Sequence, residues 1–117
     1  MDTREERLTR VFTALADPTR RAILARLRSG EATVGELADA FPISQPAVSK
    51  HLKVLAAAGL VTRTRRATAR LSHLDATPLE EAADWMADYR AYWQQSHDRL
   101  DALLTAMQRD RDTEEEP

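Results

Sequence analysis

The segment SQPAVSKHLKVLAAAGLV, residues 44–61, concentrates side chains that form hydrogen bonds and contains no acidic residue. Its apolar residues recur at helical spacing, so we expect a helix over 44–58 that buries one face and stops at Gly59. The opposite face carries Gln45, Ser49 and Lys50 near its start. Glutamine can form two hydrogen bonds with an adenine edge, and lysine can donate to guanine acceptors. The pattern favours contact with DNA bases, although a polar helix face is more often simply solvated.

Other residues in and after this helix suit contact with phosphates. Ser44 is placed to cap the helix start, where a phosphate can accept from a backbone amide, and Lys53 lies further along. His51 borders the apolar stripe, so a phosphate contact and a half-buried, hydrogen-bonded position are equal alternatives for it. Four arginines follow within residues 60–74 and suit phosphate or minor-groove contact, namely Arg63, Arg65, Arg66 and Arg70.

The charge is divided unevenly along the 117 residues, although the net charge is only −2. Residues 17–74 have a net charge of +6, and residues 75–117 have a net charge of −8. Within 40–74 there are six basic residues and no acidic one. A solvated surface normally mixes both signs, so this asymmetry favours a module that binds a polyanion.

The pattern of helix starts and stops predicts a mainly α fold with about five helices and a small β-hairpin. We expect helices over about 3–16, from Asp17-Pro18 to Gly30, and from a capping box at Thr33 and Glu36 to Pro42. The helix over 44–58 comes next, and two helices joined by a short turn have helix-turn-helix order. Alternating residues in 60–74 predict two strands around RAT. A last helix over 78–107, capped by Thr77, precedes an acidic tail over 110–117 that we expect to be disordered.

The last helix carries more apolar surface than so small a core can cover. One stripe recurs every seven residues from Leu79 to Met107, and a second line, Trp85 and Tyr92, falls on a different side. At ~1.5 Å per residue the helix is about 45 Å long. Apolar residues on two sides of one helix need two partners, so we expect this surface to be core or interface, with an aromatic small-molecule pocket as the less favoured alternative.

The composition excludes several other classes of protein. There is no cysteine, which excludes disulfides and thiolate metal sites, and the N-terminus lacks the apolar core of a secretory signal. No apolar run is long enough to cross a bilayer, so a cytoplasmic protein without membrane contact is expected. Three scattered histidines and the absence of a glycine-rich phosphate loop argue against an enzyme and against any cofactor.

Together, LADPTRRAILARL, TVGELADAFPISQPAVSKHLKVLAAAGLV and the arginine-rich hairpin resemble the ArsR-type (arsenical-resistance-repressor) winged helix-turn-helix regulators over residues 8–104. The resemblance implies one winged-helix domain over 1–109 and a repressor that acts as a homodimer on double-stranded DNA. It implies DNA contacts at Ser44, Gln45, Pro46, Ser49, Lys50 and His51 and at the wing arginines. The dimer would form through the first and last helices, and the expected interface residues are Leu8, Phe12, Met86, Tyr89, Trp93, Leu100 and Leu103.

The sequence departs from the metal-sensing members of that family. The third helix lacks the cysteine pair, and the last helix offers one histidine, His97, with Asp101 one turn later. Zinc typically needs four converging ligands, so we expect no metal site. No particular small-molecule effector is indicated. A winged-helix module that binds an acidic protein partner remains the alternative to a DNA-binding regulator.

Overall fold

The computed structural model describes residues 2–115, with side chains for residues 2–112. The chain forms two compact units, Met1–Ala82 and Ala83–Pro117. The order of elements confirms the predicted fold of five helices and one hairpin. These are α1 (Arg4–Leu15), α2 (Pro18–Leu27), α3 (Val34–Ala40), α4 (Gln45–Ala57), β1 (Val61–Arg66), β2 (Ala69–Leu74) and α5 (Thr77–Glu115).

Side-chain caps set the first residue of the short helices. The Asp17 carboxylate accepts from the amide of Arg20 at 3.0 Å, and Pro18 occupies the first position of α2, where no amide hydrogen is needed. Thr33 and Glu36 form the predicted capping box at the start of α3. These local bonds satisfy amides that have no partner within the helix. The predicted helix starts are therefore confirmed to within one residue.

The hydrophobic core of the first unit lies among α1 to α4 and the base of the hairpin. Val48, Leu52 and Leu55 place one face of α4 in it, as predicted. Gly59 follows α4 with φ of +78°, a left-handed conformation that favours glycine, and the chain turns there into β1. The core fixes which face of α4 is turned outward.

The hairpin pairs β1 and β2 in antiparallel register, from Val61 opposite Leu74 to Arg66 opposite Ala69. The sequence analysis missed a third pairing, in which Ala32 exchanges backbone hydrogen bonds with Ser72. Ala67 adopts φ of +54° in the turn, a conformation that glycine or asparagine adopts more readily. The bridge at Ala32 attaches the hairpin to the segment before α3.

The structure corrects both ends of the predicted last helix. Thr77 is the first residue of this helix and not the cap before it. Its backbone amide donates to the Asp75 carboxylate at 3.0 Å, and this hydrogen bond lowers the pKa of the Asp75 carboxyl. The helix continues to Glu115, so residues 110–115, which were expected to belong to a disordered tail, are helical. Residues 116 and 117 lie outside the described residues.

Candidate nucleic-acid interface

The outward face of α4 carries three of the predicted DNA contacts. Successive residues of a helix are rotated by about 100°, which places Pro46, Lys50 and Lys53 opposite the buried face. All three are exposed. Ser49, which is half-buried, and Gln45 lie on the flank towards α3, where the Gln45 amide nitrogen is 3.8 Å from the position a Cβ of Gly35 would take.

Four of the cations predicted to contact DNA, two on α4 and two on the hairpin, are without an acidic partner among the described residues. Within the described part of the chain, Lys50, Lys53, Arg65 and Arg70 have no acidic group within ion-pair distance, 4 Å. Ser44, at the N-terminal end of the same helix, is exposed, and its hydroxyl accepts from the amide of Ala47 at 3.2 Å. Free cations beside a capped helix start can hold phosphates.

His51 lies on the other flank of α4, towards the junction of α1 and α2. It is half-buried, and its Nδ1 lies 3.4 Å from Arg20 Nη1. The same guanidinium donates to the carbonyls of Thr13 and Ala14 at the end of α1. The hydrogen-bonded alternative is therefore present in the structure, and a DNA contact by His51 stays a prediction.

The wing, which is the hairpin of β1 and β2, carries Arg65 and Arg70 as a directly opposed, exposed pair. Arg66 differs, because its Nη1 lies 3.5 Å from Oε1 of Glu31. The second carboxylate oxygen of Glu31 is 3.3 Å from Nδ1 of His73. The guanidinium of Arg66 therefore forms an ion pair with an acidic residue that precedes the acid-free stretch 40–74.

Arg63 does not lie on the open surface expected for a wing arginine. It is half-buried, and within the described residues its Nε and Nη2 are enclosed without a hydrogen-bond acceptor. It stands opposite the buried Ser72 in the hairpin. Buried donors of a charged group are normally paired, so the protein by itself leaves this guanidinium incompletely satisfied.

One broad face of α5 is exposed and apolar. Successive residues of a helix are rotated by about 100°, so its large apolar side chains between 85 and 107 fall within an arc of about 120°. Trp85 and Tyr92 were predicted to lie on a second side of the helix, but they lie at the edge of this one face. The exposed fractions range from 38% to 64%. The side chains are Trp85, Met86, Tyr89, Tyr92, Trp93, Leu100, Leu103, Leu104 and Met107.

Two residues of α1 were also expected at a dimer interface. Leu8 is only 4% exposed and belongs to the protomer's own core, which corrects that assignment. The helical spacing correctly placed Leu8 on the apolar face of α1, but this side chain is buried in the core of its own chain. Phe12 is half-buried and packs against that core.

A cavity of about 380 Å³ lies between the start of α1, the end of α4 and the start of α5. Leu8, Val11 and Pro78 contribute to its apolar lining, and Arg7 also lines it. Arg7 donates two hydrogen bonds to Glu81, at 3.0 and 3.1 Å, which raises the pKa of Arg7 and lowers that of Glu81. The cavity is thus lined by aliphatic residues and ion pairs.

Side chains that could bind a metal do not converge in the described part of the chain. Between residues 2 and 112 there is no group of three or more histidine, aspartate or glutamate side chains arranged for an ion. Separately, none of the helices described here combines the length and apolar character that spanning a bilayer requires.

Sequence reasoning missed Arg20, Glu31 and His73 as neighbours of the basic surface. Glu31 and His73 are 42 positions apart and meet only because Ala32 pairs with Ser72. Arg20 lies in LADPTRRAILARL, one of the segments that carry the family resemblance. That segment predicted the start of a helix, but it did not predict a contact between Arg20 and α4.

A family of helix-turn-helix domains matches residues 15–64. The transcriptional repressor SdpR of Bacillus subtilis is 37% identical over 82 residues, which cover 70% of this chain and 91% of that protein. A crystal structure of an ArsR family transcriptional regulator has a TM-score of 0.70 at 36% identity, over 80% of this chain and 97% of that one.

A third similarity concerns a homodimeric winged helix-turn-helix DNA-binding domain from Mycobacterium bovis, solved by NMR. It has a TM-score of 0.60 at 26% identity, over 83% of this chain and 93% of that one. SdpR and the ArsR family protein are both regulators of transcription. The chain belongs to the ArsR family of winged helix-turn-helix, DNA-binding transcriptional regulators.

Proposed function

We propose that the protein is a sequence-specific repressor that binds an inverted-repeat operator as a homodimer and does not sense a metal. The observation that carries this proposal is the outward face of α4, where Lys50 and Lys53 are free of acidic partners within the described residues. Lysines at such positions can donate to guanine acceptors or to phosphates. A role in repressing transcription is consistent with the predicted cytoplasmic location.

The homodimer is supported by the apolar face of α5. Nine large apolar side chains exposed on one face are more than a monomeric surface normally carries in one patch. A second copy of the same helix is a self-complementary partner for such a face. The similar domain from Mycobacterium bovis is itself homodimeric.

A two-fold dimer fixes the form of the operator. The two copies of α4 related by that axis enter major grooves about one helical turn apart, ~34 Å, so the half-sites form an inverted repeat. Within each half-site, Gln45 is proposed to contact a base, whereas Arg65 holds the backbone. Replacing Gln45 with alanine should relax base preference, and Arg65→Ala should weaken binding to all sequences alike.

Selection from a pool of random duplexes, followed by anisotropy titrations at several salt concentrations, tests the proposal. An inverted repeat should emerge, and log affinity should fall with log salt by ~0.9 per neutralised phosphate. A flat salt response, or no duplex binding at low salt, would instead favour a module for an acidic protein partner.

The absence of metal sensing is proposed from the ligand chemistry of α5. Transition metals bind several nitrogen or sulfur ligands, and His97 with Asp101 supplies two groups per chain. Elemental analysis of the purified protein should therefore find no stoichiometric zinc or nickel. One metal ion per subunit that also changes DNA affinity would overturn this part of the proposal.

A further inference from the structure

We propose that Arg20, in α2, is a positioning residue for DNA binding that acts through His51 of α4. This inference rests on the proposed function, because it concerns how one α4 side chain is presented to DNA. It begins with the contact between Arg20 Nη1 and His51 Nδ1, 3.4 Å apart. Arginine has only donors, so the imidazole nitrogen in this contact must be the acceptor.

Because Nδ1 of His51 accepts a hydrogen bond, the hydrogen of the neutral ring must be on the other nitrogen, Nε2. His51 therefore presents an N–H donor on the flank of α4, about 100° from the outward-facing Lys50. Phosphate oxygens bordering a groove accept from such donors. Arg20 thus selects the tautomer and the ring orientation in which His51 can hold a phosphate.

Arg20 is itself held in place by three hydrogen bonds. Its Nε donates to the carbonyl of Ala14 at 2.7 Å, and its Nη2 donates to that of Thr13 at 3.0 Å. Its backbone amide donates to the Asp17 carboxylate, and this bond is the largest cause of the lowered pKa of Asp17. The side chain therefore joins the end of α1 and the start of α2 to the ring of His51 on α4.

The test is a double-mutant cycle with Arg20→Met and His51→Ala, measured as affinity for the selected operator. Each single variant should lose about tenfold, the size of one hydrogen bond to a charged group, and the double variant should lose little more than either single variant. Losses that multiply to about a hundredfold would show that the two residues act independently, which would overturn the proposal.

Arg21 supplies a matched control, because its Nη1 caps the carbonyl of Leu15 at 2.6 Å and no contact joins it to His51 within the described residues. Arg21→Met should keep the operator affinity of the wild type. Equal losses in both arginine variants would contradict the proposed role.

Nitrogen-15 NMR of the imidazole in the free wild-type protein covers the case in which Arg20→Met fails to fold. The spectrum at pH 7.5 should show His51 with its hydrogen on Nε2. A hydrogen on Nδ1 would overturn the positioning role even if the protein binds DNA tightly. Conversely, wild-type protein that binds no duplex but shows the Nε2–H ring would refute the proposed function and leave the Arg20 contact standing.

Discussion

Replacing Arg63 with methionine should change stability and DNA affinity in opposite directions. Methionine keeps an unbranched apolar stem but removes the guanidinium, whose Nε and Nη2 are buried without an acceptor in the described structure. If Arg63 is a phosphate contact, its side chain must leave this enclosed position when DNA binds, and only then do those donors acquire acceptors. The free protein then carries a cost that the variant lacks.

The size of the effect follows from the two unpaired donors. A buried polar group left without a partner costs about 1–3 kcal/mol. Because the side chain of Arg63 is only partly buried, the lower limit applies to each of its two nitrogens, which gives about 2 kcal/mol in all. We expect the free energy of unfolding of the variant to rise by about 1–2 kcal/mol, and its operator affinity to fall about tenfold.

Urea denaturation at one fixed protein concentration measures the first change, since a dimer's stability depends on concentration. Anisotropy titrations over a range of salt measure the second. Loss of one phosphate contact per subunit should lower the salt slope by ~0.9 per site, or ~1.8 per dimer. Arg65→Met is the control, because Arg65 lies on the same face of β1 but is exposed, so only affinity should fall.

Each possible failure identifies the step that is wrong. An Arg63→Met variant that is less stable than the wild type would show that the guanidinium is satisfied in the free protein. A variant with higher stability but unchanged affinity and salt slope would confirm the buried, unpaired donors and refute the phosphate contact. Equal stability gains in Arg63→Met and Arg65→Met would indicate a general effect of removing positive charge.

Three further predictions concern other parts of the chain. Glu31→Gln should release Arg66 and raise affinity for any duplex about threefold by one recovered phosphate contact, whereas unchanged anisotropy titrations would contradict this. Trp93→Asp places a charge in the apolar face of α5 and should sediment as a monomer; a variant that stays dimeric would refute the α5 interface. The pKa of Asp17 is lowered from 3.8, chiefly by the amide of Arg20, so its carboxylate stabilises the fold above that pH and the contribution is lost in stronger acid. Asp17→Asn keeps a cap but cannot titrate, so its deficit in thermal stability should shrink between about pH 5 and 2, and a constant deficit would be inconsistent with this linkage.

The sequence predicted the elements well wherever a local signal sets them. The helix predicted over 44–58 is Gln45–Ala57 with its two flanking caps, because Ser44 and Gly59 act on the backbone beside them. The predicted cap of α5, Thr77, was wrong for a related reason. Asp75 and Thr77 are both capping residues, and spacing alone did not show which of them would bond to the other's amide.

Contacts between distant segments were beyond sequence reasoning. Spacing along a strand shows that Arg63 and Arg65 share a face of β1, but it does not show that one is enclosed while the other is exposed. That difference depends on how the hairpin is attached to the rest of the first unit. The bridge between Ala32 and Ser72 makes that attachment, across 40 positions of sequence.

The same bridge limits what a charge count along the chain can establish. Residues 40–74 contain no acidic residue, yet Glu31, nine positions before that window, reaches both Arg66 and His73. A surface is made of residues that are close in space, so an acid-free stretch of sequence does not guarantee an acid-free surface. Lys50 and Lys53 stay free of acidic partners within the described residues because they lie on a helix face that the core turns outward. The exposed face of α4, more than the number of arginines in the wing, is therefore the stronger physical reason to expect DNA binding.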